Sequence, residues 1–197
     1  MDSISLEEFD KFRSAGVPGL DCRPTNDFAE NHIENTINAS INGSFEYMAS
    51  CFFNKEDKLI LICNKYNSAE AFLRLESEGY LDLHIFHYDI WTKEKSNLER
   101  VKAKNAKSHL RVMKDVSNAE DWELLHVKGV RSAPLKEIIK TRELIVDGDV
   151  LYCGNGHKSM AAVSYLLSKN IITTDIIGGL SAMLVESPDL ELSLIHI

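Results

Sequence analysis

The chain has 197 residues, of which 44% are hydrophobic, 26% are charged and four are proline, and its formal net charge is -8. This composition is typical of a folded globular protein and excludes the disordered and fibrous classes. The negative charge argues against wholesale nucleic-acid binding, and no apolar run approaches the ~18 residues of a membrane span. The first residues carry acids and no apolar signal segment, so the sequence predicts a cytoplasmic protein.

The first half of the sequence alternates short apolar runs with segments of helical periodicity. Ser5 and Glu8 have the spacing of a capping box and predict a helix over about residues 6–15. Thr25 or Asn26 would cap a second helix. The predicted strands of this half are VPGLDC (17–22), KLILIC (Lys58–Cys63) and LHIF (Leu83–Phe86), and a further helix is predicted between the last two, ending at Gly79.

The second half repeats this order at an offset of about 90 residues, which indicates a duplication. The repeated segments are a strand in RVMKDV, a helix in NAEDWELL, a strand in DVLYC, a helix in SMAAVSYLLSKN, and DIIGG. Short strands that alternate with helices predict parallel sheets covered by helices, so the fold class is α/β. The expected organisation is a domain over residues 1–91, a connector over 92–108 and a second domain over 109–197.

The connector belongs to a strongly basic stretch. Thr92–Arg111 contains seven Lys or Arg residues against two Glu, and it has no apolar face of its own. It is interpreted either as a solvated linker or as a docking surface for an acidic partner such as RNA or an acidic protein. Both interpretations stay open, although the overall charge makes nucleic acid the less favoured partner, and the sequence does not indicate an oligomeric state.

The four cysteines are too sparse for a disulfide framework and include no CxxC pair, and the histidines lack the spacing of a zinc site. No metal or cofactor is predicted. Two cysteines, Cys63 and Cys153, stand at the ends of predicted strands, where reactive groups gather in parallel α/β sheets. They are the candidates for chemistry.

The stronger candidate is Cys153, because the sequence that follows it, GNGHK, must turn the chain quickly into a helix starting near Ser159. Glycines permit the positive φ angles of such a turn, and its amide groups would converge on the sulfur and favour a nucleophilic thiolate. Lys158 adds a cation, and Ser159 would cap the helix or bind an anion. The substrate-binding set is Gly154, Asn155, Gly156, His157, Lys158 and Ser159.

Two of these residues also have interpretations that involve no function. His157 would also suit a solvent-facing loop, and Cys153 would also suit a buried inert thiol. A cysteine-type phosphatase would need an arginine six positions after its nucleophile, but position 159 is serine and position 69 is alanine. Phosphatase activity is therefore not expected.

The loop CGNGHKS resembles the active loop of the rhodanese, or sulfurtransferase, superfamily, which reads Cys-Arg-Ser-Gly-x-Arg-Ser or Cys-Gly-Ser-Gly-x-Thr. It agrees in length, in Cys153, in Gly156 and in the final serine, with Lys158 in place of arginine. Both halves also resemble the family's segment around Asp-Val-Arg and Gly-His-Ile. The residues that carry this second likeness are Asp21, Arg23, Phe28, His32 and Ile33, and then Asp115, Trp122, His126, Val127, Gly129, Pro134 and Leu135.

The two halves depart from the family pattern differently. The first loop, CNKYNSA, has Tyr66 where glycine is expected and Ser68 where the cation normally stands, so Cys63 is a candidate for a degenerate or specialised second site. The second half has Ser117 where arginine normally follows the Asp-Val pair.

The resemblance implies a protein with two rhodanese-like domains, each a small parallel sheet flanked by helices. It implies that Cys153 takes sulfur from a small anionic donor such as thiosulfate or 3-mercaptopyruvate and passes it, as a persulfide, to a thiol, cyanide or a sulfur-carrier protein. The alternatives are a non-catalytic docking or regulatory module, and a thiol redox sensor in which Cys22 or Cys51 approaches in space.

Overall fold

The computed structural model describes residues 2–194 of the chain. They divide into two compact units, Met1–Asn97 and Leu98–Ile197. The predicted connector is divided between them, with residues 92–97 in the first unit and 98–108 in the second. Among residues 2–194, no helix combines the length and the apolar character needed to cross a membrane.

The first unit is built on a sheet of four parallel strands in the order β2-β1-β3-β4. Its strands are β1 (Gly19–Asp21), β2 (Ile37–Asn38), β3 (Lys58–Cys63) and β4 (Asp82–His87). Its helices are α1 (Leu6–Ser14), α2 (Thr25–Glu30), α3 (Phe45–Phe52) and α4 (Ser68–Ser77), and a short 3-10 helix covers Tyr88–Ile90. The interior strand β3 is buried from Leu59 to its end at Cys63, as an apolar run in a parallel sheet should be.

The start of α1 is fixed by the predicted capping box. The Ser5 hydroxyl accepts from the Glu8 amide at 3.2 Å, and the Ser5 amide donates to the Glu8 carboxylate at 2.8 Å. This prediction is confirmed. The prediction that Thr25 or Asn26 caps α2 is wrong, because Thr25 is already helical and the cap position is taken by Pro24, which has no side-chain cap. Proline suits that position because it lacks an amide hydrogen.

We expect Ser5→Ala to lower the free energy of unfolding by about 1 kcal/mol, since the Glu8 amide loses its side-chain acceptor. Urea denaturation followed by circular dichroism measures the change. The control is Ser14→Ala, at the exposed last position of the same helix, which should be nearly neutral. Equal losses for both variants would show that the capping box contributes nothing.

The second unit has a sheet of four parallel strands in the order β7-β5-β8-β9 and a separate antiparallel pair, β6 and β10. Its strands are β5 (Met113–Asp115), β6 (Leu125–Val127), β7 (Arg131–Ser132), β8 (Val150–Tyr152), β9 (Thr174–Asp175) and β10 (Leu192–Leu194). Its helices are α5 (Ala119–Leu124), α6 (Leu135–Lys140), α7 (His157–Leu167) and α8 (Gly179–Glu186), with 3-10 segments at Ala103–Val112 and Arg142–Leu144. Of the C-terminal sequence LELSLIHI, residues 195–197 lie outside the described residues.

The two units share one plan. When the strands of each four-stranded sheet are counted along the chain, both sheets have the order second, first, third, fourth. In the second unit this count leaves out β6 and β10, which form their own pair. The α/β class with two small parallel sheets is therefore confirmed. In both units the third strand is an interior one, and a cysteine stands at its carboxyl end. This places Cys63 and Cys153 at equivalent points.

A local motif is also repeated. In the first unit the His32 ring stacks on Phe28 at 4.3 Å and its Nδ1 donates to the Phe28 carbonyl at 3.0 Å. In the second unit His126 stacks on Trp122 at 3.9 Å and donates to the Trp122 carbonyl at 2.7 Å. These histidines therefore fix the end of a short helix in each unit. Burial lowers the pKa of His32, so its ring is neutral at neutral pH.

Candidate functional site

Cys153 follows directly on β8, whose residues are all buried, and its own side chain is only 1% exposed. The hydrogen-bond partner of the thiol is the hydroxyl of Ser159, with Sγ and Oγ 3.8 Å apart. Ser159 is itself fully buried in the first turn of α7. The candidate nucleophile is thus held beneath the surface, against the N-terminal turn of a helix.

The turn behind Cys153 is shorter than expected. Gly156 occupies the cap position of α7 with a φ of 87°, a left-handed conformation that glycine adopts without strain. The helix begins at His157, two residues before the start predicted near Ser159. That prediction is wrong because Gly156 reverses the chain sooner, and His157, Lys158 and Ser159 consequently belong to the first helical turn. Gly154 and Asn155, which form the rest of the turn, are exposed.

The turn is fastened to the start of α8. The Cys153 carbonyl accepts from the Leu180 amide at 2.8 Å, and the Gly154 carbonyl accepts from both the amide and the hydroxyl of Ser181 at 2.9 Å. Gly179 lies so close that a Cβ built on it would stand 2.1 Å from the Cys153 carbonyl oxygen. No side chain fits there, so glycine is required for the loop to pack in this way.

A buried polar chain extends from Cys153 into the unit. The Ser159 hydroxyl donates to the Asp175 carboxylate at 3.4 Å, and that carboxylate is gripped by Arg100, whose Nε and Nη2 both lie 2.7 Å from its oxygens. Asp175 is fully buried and the Arg100 side chain is 6% exposed. Arg100 comes from the sequence that was predicted to be a connector, where it lies beside β9 through the bridge between Val101 and Ile176.

The two remaining polar residues of the loop have different surroundings. Lys158 forms an ion pair with Asp121 of α5 at 3.2 Å, and the lysine side chain is 14% exposed. His157 is half-buried, and its pKa is lowered, mainly by burial and secondly by the positive charge of Arg100. His157 is therefore neutral at neutral pH, and Lys158 is the charged residue of this helical turn.

The first-unit loop differs from this arrangement. Cys63 is fully buried, but the turn behind it carries Tyr66 with its side chain completely exposed, and Asn67 takes the cap position of α4 without a left-handed φ. Burial and the neighbouring Cys63 thiol raise the pKa of Cys22. Cys22 therefore approaches Cys63, within the first unit.

The two units also differ in the hydrogen-bond partner of the buried aspartate that ends their first strand. In the first unit Arg23 grips the buried Asp21 carboxylate, with the closest contact at 2.7 Å. In the second unit Ser117 replaces that arginine, and its amide donates to Asp115 at 2.8 Å. Burial raises the pKa of Asp115, while Ser117 and the Tyr152 hydroxyl act in the opposite direction.

Among residues 2–194, no three or more His, Cys, Asp or Glu side chains are grouped so that they could hold a metal ion. Comparison with known proteins gives a match for the first unit, in which the rhodanese-like domain family model matches residues 5–90. The first unit therefore contains a rhodanese-like domain. The matched rhodanese-like domain contains Cys63, whereas Cys153 lies outside the match. No curated protein sequence matches the chain.

Solved structures similar to this chain include a thiosulfate sulfurtransferase from Pseudomonas aeruginosa, with 13% identity and a TM-score of 0.42; the match covers the whole chain but only 44% of that structure. A rhodanese from E. coli solved with anions has 21% identity and a TM-score of 0.36 over 41% of this chain and 96% of that one. A variant of EanB carrying a persulfide, solved with ergothioneine, has 12% identity and a TM-score of 0.47 over all of this chain and 63% of that one. Likenesses at these identities and TM-scores say nothing about the chemistry of this chain.

Sequence reasoning missed Arg100, Asp175 and Gly179 as parts of the Cys153 surroundings. Gly179 had a signal, because the pair of glycines after DII resembles the family's ending. Arg100 had no such signal, because nothing in the sequence distinguishes it from the six other Lys and Arg residues of the basic stretch.

Proposed function

We propose that this protein is a sulfurtransferase that moves sulfane sulfur from a small anionic donor to a thiophilic acceptor through a persulfide on Cys153. The observation that carries the proposal is the position of Cys153. The second unit has the strand order of the rhodanese-like first unit, and Cys153 stands at the carboxyl end of its third strand, as Cys63 does in the first. Carboxyl ends of parallel strands are where α/β sheets hold their reactive groups.

The glycine turn favours Cys153 over Cys63. A left-handed Gly156 turns the chain into α7, and the first turn of that helix places the Ser159 hydroxyl 3.8 Å from the Cys153 sulfur. The amide groups of residues 154–159 then provide dipoles for a persulfide anion. At the first loop, Tyr66 occupies the position where glycine would allow such a cradle.

The reaction we propose with thiosulfate is two displacements at sulfur. The Cys153 thiolate attacks the outer sulfur, the S–S bond of the donor breaks, and sulfite leaves with the bonding electron pair. The acceptor, for example cyanide, then attacks the outer sulfur of the persulfide, so thiocyanate leaves and the Cys153 thiolate is regenerated. Each step exchanges one bond for another, so no cofactor is needed. 3-Mercaptopyruvate is the alternative donor in this proposal.

Lys158 is proposed to seat the anionic donor, with Asn155 and His157 at the same rim. Its ion pair with Asp121 is a competing contact, but Asp121 is 58% exposed and the pair is correspondingly weak. Because the Cys153 side chain is 1% exposed, the donor must enter through the exposed turn at Gly154 and Asn155.

Sulfur loading tests the function directly. After incubation with thiosulfate, peptide mass spectrometry should find one additional sulfur atom on Cys153, and cyanide should remove it. Sulfate is the matched control, because it has the same charge but no sulfane sulfur, and it should add nothing. A chain that takes up no sulfur from thiosulfate or 3-mercaptopyruvate at any cysteine is not a sulfurtransferase for these donors.

A non-catalytic docking or regulatory module is the second candidate. It is favoured by the burial of both strand-end cysteines and by the complete exposure of Tyr66, a large side chain well suited to a protein contact. The sulfur-loading experiment separates the two functions, because a docking module gains no sulfur.

A further inference from the structure

An ion pair removed from water is the unusual feature of the second unit. Arg100 and Asp175 make two parallel hydrogen bonds, and both side chains are nearly inaccessible to solvent. Burying two charges carries a large desolvation penalty, so such a pair is a poor device for stability alone. Its location gives it another use, because the Asp175 carboxylate accepts from Ser159, the residue that accepts from the Cys153 thiol.

We propose that Asp175 and Arg100 are positioning residues that set the reactivity of Cys153 through Ser159. Asp175 fixes the direction of the Ser159 hydroxyl, and Arg100 offsets the carboxylate charge that would oppose formation of a thiolate. The inference rests on the proposed use of Cys153 and extends it, because it assigns a role to an arginine from the basic stretch.

Other charged groups around the thiol do not replace Arg100. On α7, His157 is neutral at neutral pH, and the Lys158 ammonium lies 3.2 Å from the Asp121 carboxylate of α5. On the neighbouring strand β5, Asp115 pairs in register with Tyr152 and is bound by the Ser117 amide. The cation that acts on the Asp175 carboxylate is therefore Arg100.

The test compares Arg100→Gln with Asp175→Asn in the full chain. The measurement is the pH profile of iodoacetamide alkylation at Cys153, read by peptide mass spectrometry. Without Arg100, the uncompensated carboxylate should move the profile up by about one pH unit, the order expected for a charge at this range in a protein interior. Without the carboxylate, Arg100 favours the thiolate, so Asp175→Asn should move the profile down by about one pH unit.

Lys114→Gln is the matched control, because Lys114 forms an ion pair of the same kind in the same unit, with the buried Asp149 at 3.0 Å. It should leave the profile in place. Arg100→Lys keeps the positive charge and should restore most of the wild-type profile. A purely structural role for the pair predicts that both single variants loosen the site and shift alkylation in the same direction.

Shifts of opposite sign support the proposal, and shifts of the same sign, or no shift, overturn it. If Arg100→Gln does not unfold cooperatively, the test rests on the alkylation profile of Asp175→Asn compared with that of Lys114→Gln. A profile of Asp175→Asn that stays in place or moves to higher pH overturns the proposal. Alkylation reads the thiol without any sulfur donor. Opposite shifts in a protein that takes up no sulfur would therefore refute the proposed function and leave the positioning role intact.

Discussion

Cys153→Ser should abolish sulfur transfer, while Cys63→Ser should leave most of it. A serine hydroxyl is a far weaker nucleophile toward sulfur than a thiolate and forms no persulfide, so the rate should fall by about 10³-fold or more, to the background. The measurement is thiocyanate formation from thiosulfate and cyanide, with sulfur loading of each peptide followed in parallel.

Each of the two cysteine-to-serine variants serves as the control for the other. Both cysteines are buried at the carboxyl end of an interior strand, so both changes place a hydroxyl in a similar environment. Thermal unfolding of each variant shows whether a loss of activity follows a loss of structure. If Cys63→Ser removed transfer from a folded protein and Cys153→Ser did not, the site would lie in the first unit, within the segment that the family model matches.

The parts of the fold that could be predicted from sequence are those with local causes. The run Lys58–Cys63 is apolar and rich in isoleucine, and it forms β3 over those same residues. Ser5 and Glu8, three residues apart, form reciprocal hydrogen bonds between side chain and backbone, so the start of α1 was predictable from their spacing. The repeat of this order in the second half indicated the second parallel sheet.

The parts that could not be predicted depend on contacts distant in sequence. The start of α7 at His157 follows from a left-handed Gly156 that packs against Gly178 and Gly179. Arg100 is 75 residues from Asp175 in sequence, and only the fold brings the two together. The composition of the stretch around Arg100 indicated a solvated linker, because the sequence shows the charge of Arg100 but not that Asp175 is its partner.

Gly179→Ala should have the second large effect, because it closes the space that the Cys153 loop occupies. The added Cβ would stand 2.1 Å from the Cys153 carbonyl oxygen and 2.8 Å from the Gly156 nitrogen, so backbone must move. The φ of Gly179 is also positive, at 59°, which adds strain for alanine. We expect a loss of about 3 kcal/mol or more in the free energy of unfolding of the second unit, together with loss of sulfur loading at Cys153.

Gly148→Ala separates the strain from the clash. Gly148 has a φ of 85°, and a Cβ built on it meets nothing within 4 Å, so this variant carries the conformational strain alone. It should lose about 1 kcal/mol, measured by urea denaturation, and should load sulfur normally. Since both glycines lie in the second unit, the difference between the variants reports the packing of the loop against α8. Equal stability and equal sulfur loading would mean that the Cys153 loop tolerates displacement from Gly179, and the close fit would then have no part in the chemistry.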